Sequence, residues 1–559
     1  MKKINYACLA LSILATGYLS AATKEATAPT ANALTSIKAG ELLQHISVLA
    51  SDEFEGRAPG GKGEQMSVDY IKKQFTQLGL EPGNPDGSYS QAVPMVGVTS
   101  TPSLTLTVGG KSTALHYSED FVAFSPAAQK EIVIKKSDMV FVGYGVIAPE
   151  YGWDDYKGVD LHGKTIVMLI NDPAIPDPLD PSKLDVNMFK GDAMTYYGRW
   201  TYKYEMAAKL GAAAAIIIHE TKPAAYPFEV VRHSWAQENF NIDTGGANPN
   251  YPLVAGWLQL DRAKEMLKSG GFDFDTLKKA ALSKDFKPVE LGVTASFTIK
   301  NKWKKIQSQN VVAKIVGSDP LLKNETIIYS AHWDHLGINT SLPGPRTQQI
   351  FHGALDNASG VAALLELAKA YKALPVAPKR SILFIATTAE EQGLLGARYY
   401  VQHPLYPLDK TLIDINMDII NSYGRTKDIF IIGAGKSNVD DLVTKVAQQQ
   451  GRIAVPDNRQ ELGMFYRADQ FEFAKGGVPG LYINAGSNVR GKPDNYGQEK
   501  LNDYIANHYH SVNDIVDSSW DLSGAVEDIQ LLFLVGYNVA QGKEYPQWRA
   551  DADFQRKHP

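Results

Sequence analysis

The chain has 559 residues and a single cysteine, Cys8. Cys8 lies inside an N-terminal apolar run, so beyond that run no disulfide can staple the fold. Any metal centre there must be built from His, Asp and Glu. Charge of one sign is scarce as well, with 56 Lys and Arg against 61 Asp and Glu and a formal net charge of -5. So mild a balance implies no polyanion and no anionic membrane surface, and nothing in it argues for nucleic acid. Long hydrophobic runs are also missing. The apolar stretch from about Ala7 to Leu19 is shorter than the ~20 residues a spanning helix needs, and no later segment is longer, so stable membrane insertion is not expected.

What is present at the N-terminus has a different meaning. Lys2 and Lys3 precede the apolar run, and the small residues Ser20, Ala21 and Ala22 follow it. A basic start, an apolar middle and a small-residue exit describe a cleaved secretory signal peptide over residues 1–22, and hence a periplasmic or extracellular protein. The Ala/Thr-rich residues 23–36 read as a flexible leader. Hydrophobic residues make up 44% and charged residues 21%, the balance of a soluble globular chain with a sizeable core.

Patterning then divides the chain. Val68, Ile71, Phe75 and Leu78 recur at helical spacing. Residues 137–297 change texture, with short strands such as "MVFVGYGV" and "GKTIVMLIND" and Pro-rich loops, and read as a β-rich module inserted into a split domain of residues 37–136 and 298–545. Residues 546–559 read as a C-terminal tail. After about Asn310 the runs "TIIYSA", "SILFIATT", "TLIDINM" and "GLYINAG" alternate with helical stretches such as "VAALLELAKAYKAL". That alternation predicts an α/β fold, a mostly parallel mixed sheet with helices on both faces. In such sheets ligands bind beyond the carboxyl ends of the strands.

The residues just past those strand ends carry chemistry. "TIIYSA" runs into His332, with Asp334 two residues on, and "SILFIATTA" into Glu390 and Glu391. "TLIDINM" runs into Asp418, "HGALDNASG" sets Asp356 before a helix, and "NHYHSVND" offers His510 in a polar loop. Imidazole and carboxylate donors suit zinc. Two cations ~4 Å apart need a bridging carboxylate and open positions for water and substrate. The spacing predicts His332 and Asp418 on one metal, Glu391 and His510 on the other, and Asp356 between them. Glu390 is left free to act as a general base. In an extended segment Asp334 points the same way as His332, so it is expected to accept the free N–H of that ring. Any one of these residues alone reads more simply as a cap or a solvated charge. Their joint placement does not. Ser359 lacks the Gly-x-Ser-x-Gly turn of a serine hydrolase. His335, His352 and His508 read as structural or pocket-lining, and Trp200, Tyr202 and Tyr204 as core or, if the inserted module folds over it, as a wall of the substrate cleft.

The motifs "SAHWDHLG", "GALDNASGVAALLELA", "TTAEEQGLLGARYY", "INMDII" and "HYHSVND" resemble, in order, those of the co-catalytic di-zinc exopeptidases of the bacterial leucyl aminopeptidase and glutamate carboxypeptidase type, peptidase clan MH. The resemblance implies the same five ligands, two zinc ions and Glu390 as base, and a cis peptide at Asp356–Asn357. The insertion "VFVGYGVIAPEYGWDDYKGVDLHGKTIVML" is similar to a protease-associated domain. The family's Ser-Asp-His near the substrate pocket is here Ala468-Asp469-Gln470, so Asp469 becomes a candidate substrate contact, with Tyr466 a candidate donor to the oxyanion. The implied activity is release of the N-terminal residue from peptide substrates. A dipeptidase, carboxypeptidase or aminoacyl cyclase is the alternative within the same chemistry, and a non-catalytic binding protein the alternative outside it.

Overall fold

The computed structural model of the chain describes residues 28–245, 248–550 and 552–556. The expected signal peptide, 1–22, lies outside the described residues. The main strands in chain order are β1 (Ser90–Val108), β2 (Glu131–Phe141), β3 (Thr165–Leu169), β4 (Ala214–His219), β5 (Val254–Gln259), β6 (Val289–Ile315), β7 (Thr326–His332), β8 (Ser381–Thr387), β9 (Thr411–Asn416), β10 (Asp428–Ile431), β11 (Ile453–Pro456) and β12 (Gly480–Ala485). Hydrogen bonding orders them β11-β10-β12-β9-β7-β8-β6-β2-β3-β4-β5.

The centre of this sheet explains the apolar runs. In β7, β8 and β9 every residue is buried, because helices cover both faces and no solvent side remains. Alternation sorts their side chains by face. Ile327, Tyr329 and Ala331 pack with helices Ser359–Lys372 and Ser523–Ala540, whereas Ile328 packs with Tyr400 and Phe473 on the other side. β7 runs parallel to both β8 and β9, and β9 parallel to β12. β8 pairs antiparallel with β6, and β10 antiparallel with β12, so the sheet is mixed.

The 27-residue β6 joins two hydrophobic cores. It pairs with β8 at Val311–Ile315 and with β2 from Val289 to Lys300, while β1 follows it antiparallel from Val108 to Ser90. One core gathers residues between Ala33 and Leu80 with others between Val311 and Ala540. The second gathers residues between Leu104 and Ile299 around the parallel strands β3, β4 and β5. It already includes Leu104, Leu106 and Phe121–Phe124, ahead of the expected boundary at 137.

Two end segments differ from expectation. Residues Ala28–Ser36, placed in a flexible leader, form a helix, and Ala33 and Ile37 are buried in the first core. Its Ala-rich composition favours helix once an apolar face has a surface to cover. The expected tail packs down as well. The Trp548 indole donates to Gly477 O at 3.0 Å, and the Arg556 guanidinium donates to Thr411 O at 3.0 Å and Leu412 O at 2.8 Å. Among the described residues no helix is long and apolar enough to cross a membrane.

Candidate metal centre

Three adjacent parallel strands deliver side chains to one edge. His332 closes β7 directly opposite Thr387 of β8, Glu390 and Glu391 follow β8, and Asp418 lies two residues past the end of β9. Asp356 comes from the loop before helix Ser359–Lys372, and His510 from the loop after helix Tyr496–Asn507.

The geometry centres on Asp356. Its Oδ1 lies 3.4 Å from His332 Nε2 and its Oδ2 lies 3.2 Å from His510 Nε2. His332 Nε2 is 3.5 Å from Asp418 Oδ1, and His510 Nε2 is 3.0 Å from Glu391 Oε2. Two donor triads result, His332–Asp356–Asp418 and His335–Asp356–Glu391, each with its ligand atoms within 4.8 Å of one another. Asp356 belongs to both, as a bridging carboxylate must. The structure therefore brings together all five expected ligands.

These residues fit divalent cations on electrostatic grounds. Asp356, Glu390, Glu391 and Asp418 gather around three imidazoles, those of His332, His335 and His510, and among the described residues no Lys or Arg forms an ion pair with any of them. Buried carboxylates without a counter-charge cost several kcal/mol each, and a bound cation removes that cost. His332 Nε2 is buried with no hydrogen-bond partner. Glu390 stands beside the triads, with Oε2 3.9 Å from His332 Nε2. Burial pushes its carboxyl well above the ordinary range; His332 opposes the shift, and the Asp418 and Glu391 carboxylates reinforce it.

The surrounding framework is bonded to backbone. The buried Arg57 guanidinium donates to Trp333 O and Leu49 O at 2.8 Å, His352 O at 2.6 Å and Gly353 O at 2.8 Å, tying helix Ala39–Leu49 to two ligand loops. The Asp514 carboxylate accepts the N–H groups of Leu355 and Asp356 at 3.0 Å each. The Asn357 amide donates to Met417 O at 2.9 Å and accepts from Ile419 N–H at 3.2 Å, so it brackets Asp418 from the neighbouring loop. The Asp356–Asn357 peptide is cis, as the family resemblance implies. Gly353 has φ +55°, and a β-carbon there would collide with Asp356 O and the His335 ring.

Four residues depart from the reading of the sequence. His332 Nδ1 faces the Asp334 backbone oxygen at 3.2 Å, while the Asp334 carboxylate, 3.8 Å away, accepts the N–H groups of Glu390 at 3.1 Å and Glu391 at 3.4 Å. Past the strand end the chain turns, and the side chain meets the next loop's unpaired amides first. The Tyr466 hydroxyl points at Lys436 Nζ, 3.4 Å away, and not at the donor triads. Asp469 is buried beneath the site and accepts from the Thr387 hydroxyl at the end of β8, so it holds the strand rather than the substrate. His335, taken as structural or pocket-lining, has Nδ1 2.6 Å from Glu391 Oε1 and joins the second triad. Its place three residues after His332, in "HWDH", was the available signal. Tyr509 was not singled out, yet its ring stacks on His510 at 3.9 Å.

Two cavities open beside the donors. One is lined by Glu390, Glu391 and His510 and, from the second core, by Trp200, Tyr226 and Trp235. Tyr202 and Tyr204 are buried in that core, so only Trp200 of the expected aromatic cluster reaches the cavity. The other lies beside Asp418; Ile419, Phe430, Leu462 and Met464 give it an apolar wall, and Arg459 and Arg467 line it as well.

Residues 310–534 match the family described as Peptidase family M28. Among curated proteins, Aminopeptidase YwaD of Bacillus subtilis (strain 168) is 30% identical over 127 residues, 22% of this chain and 24% of that protein. A probable leucine aminopeptidase 2 of Aspergillus oryzae is 33% identical over 131 residues, 23% of each chain. The matched part thus spans about a quarter of the length of these relatives. Among solved structures, an aminopeptidase from Aneurinibacillus sp. strain AM-1 superposes with a TM-score of 0.51 at 19% identity, covering 91% of this chain and 95% of that one. That likeness is one of fold.

Proposed function

We propose, from the premise that residues 310–534 belong to peptidase family M28, that the protein is an exported aminopeptidase working with two zinc ions. The observation that carries this is Asp356, whose two carboxylate oxygens face different imidazoles, His332 and His510. His332, Asp356 and Asp418 would hold one ion; Asp356, Glu391 and His510 would hold the other. When bound, the zinc ions supply Lewis-acid polarisation of the scissile carbonyl and a lowered pKa for the attacking water.

The chain's own residues do the rest. Glu390, buried beside His332 of the first triad, in its ionised form takes a proton from the attacking water as the new C–O bond forms. It returns that proton to the nitrogen of the breaking C–N bond, so the peptide leaves as a neutral amine. Its position is set by Asp334, which accepts its backbone N–H. The apolar wall of the cavity beside Asp418 suits the side chain of the first residue, and the cavity beside Glu390 suits the residues that leave.

The insertion is read as a protease-associated module, supported by its own core and by its contribution of Trp200, Tyr226 and Trp235 to the second cavity. Export is read from the basic, apolar and small-residue order of residues 1–22. The test is release of free amino acid from aminoacyl anilides. Activity that vanishes with chelator and returns with zinc is expected, and full activity in chelator contradicts the reading.

A further inference from the structure

The cavity beside Glu390 is small. Its volume is about 130 Å³, and a space of ~150 Å³ holds one benzene ring. A further cavity of about 550 Å³ lies next to it, and Tyr251 stands in the walls of both. Strand Glu238–Ile242 runs from one to the other. Asn239 lines the smaller cavity and Asn241 the larger. Residues two apart in a strand share a face at a spacing of ~6–7 Å, so the two spaces follow one another along one face of it. The strand is also tied to the catalytic turn. Gln392, two residues after Glu390, accepts the Phe240 N–H at 3.0 Å.

The larger cavity has a neutral, amide-bearing wall. Among the described residues its only charged side chains, Asp243 and Lys305, lie 2.6 Å apart and neutralise one another. Asn241, Asn248 and Gln129 contribute amides, and Pro126, Pro252 and Leu253 contribute apolar surface. The Asn239 amide is fully engaged, with Nδ2 donating to Trp235 O at 3.1 Å and to Gln237 O at 2.9 Å. The Asn241 amide is not. Its Oδ1 accepts from Asn248 Nδ2 at 3.2 Å, but its own Nδ2 has no partner, although the residue is only 4% exposed. A buried donor left unpaired costs ~1–3 kcal/mol, and an occupant rich in carbonyl acceptors removes that cost. Neutral amides of this kind suit the main chain that every peptide has, and select neither one side chain nor one charged end.

We propose that the leaving portion of the substrate runs along strand Glu238–Ile242, past Tyr251, and into the larger cavity. The preferred substrates are then peptides of about five residues and longer, recognised through their main chain. The length follows from the spaces available. One residue sits beside Asp418 and one or two beside Glu390, and about two more, at ~3.3 Å each, pass from Asn239 to Asn241. The proposal rests on the aminopeptidase reading for the direction of the substrate, but its test does not need turnover.

Zinc-loaded Glu390→Gln protein is titrated calorimetrically with a series running from Leu-Ala to leucine followed by five alanines. Affinity should rise about 10-fold or more between the tripeptide and the pentapeptide and level off by the hexapeptide, on the scale of one or two net hydrogen bonds. Amidation of the hexapeptide's carboxyl end should leave its affinity unchanged. Asn241→Leu removes the unpaired amide, and Ala128→Trp fills the same cavity from an exposed position in its wall. Each should bring the hexapeptide down towards the affinity of the dipeptide, and the second keeps the test readable if the first folds poorly. Equal affinity at every length, a rise that needs the free carboxylate, or a rise untouched by both substitutions overturns the proposal. Wild-type protein that shows the rise yet releases no amino acid refutes the aminopeptidase reading alone.

Discussion

The Asp334 carboxylate accepts the backbone N–H of Glu390 at 3.1 Å. A residue two places after a ligand histidine thus acts across the sheet edge, on the turn that carries the general base. It holds two successive amides, those of Glu390 and Glu391, that face no backbone acceptor of their own. Asp334 is therefore a positioning residue for the base and for one ligand together.

Asp334→Asn replaces one acceptor oxygen with a donor aimed at those amides. kcat should fall about 10- to 100-fold with KM little changed and metal content retained, the range seen when a supporting hydrogen bond around a metal site is lost. Steady-state kinetics with parallel metal analysis checks this. A variant that loses metal and keeps its residual kcat per bound ion would show that the carboxylate serves the histidine instead.

The legible and illegible parts of the sequence divide along physical lines. β7, β8 and β9 are apolar throughout because both faces are covered, so they stand out as runs, and the polar residues that end them mark the site. His332, Glu391 and Asp418 were legible for that reason, and Asp356 and His510, in loops beside helices, from the motifs around them. Asp334 was misplaced because strand periodicity was carried two residues past the strand, where the chain has already turned. Tyr466 was misplaced because Lys436, whose ammonium donates to its hydroxyl, lies 30 residues away in sequence. The helix at Ala28–Ser36 was missed because an Ala/Thr-rich segment reads as leader until its contacts with helix Ser359–Lys372 are seen. Arg57 carries no local signal, since its four acceptors are all backbone carbonyls and three of them lie at least 276 residues away.

Arg57→Met should destabilise the fold. It removes a buried guanidinium and leaves four carbonyls to find other partners, a loss of ~4 kcal/mol at ~1 kcal/mol per group. The readout is a lower Tm by calorimetry, with metal affinity reduced because both ligand loops are tied to this residue. An unchanged Tm would mean that water replaces the guanidinium without loss.

Glu390→Gln should lower kcat by about 10²- to 10⁴-fold while both donor triads still bind metal. The wild-type pH profile follows from the same group. Glu390 accepts a proton only when ionised, and burial with the nearby carboxylates raises its pKa above the ordinary 4.5. Activity should fall as pH drops through that raised value, so the acid limb of kcat lies above pH 4.5. The Gln variant should lose that limb. A wild-type profile that stays flat below pH 4.5 assigns the proton transfer to another group.

Metal stoichiometry tests the site most directly, measured by elemental mass spectrometry after exhaustive dialysis, on wild type and on Asp356→Ala. Two zinc ions per chain in the wild type, and loss of both affinity and activity when the shared carboxylate is removed, is the expected result. Fully active wild-type protein holding one ion or none, or Asp356→Ala retaining both ions, would contradict it.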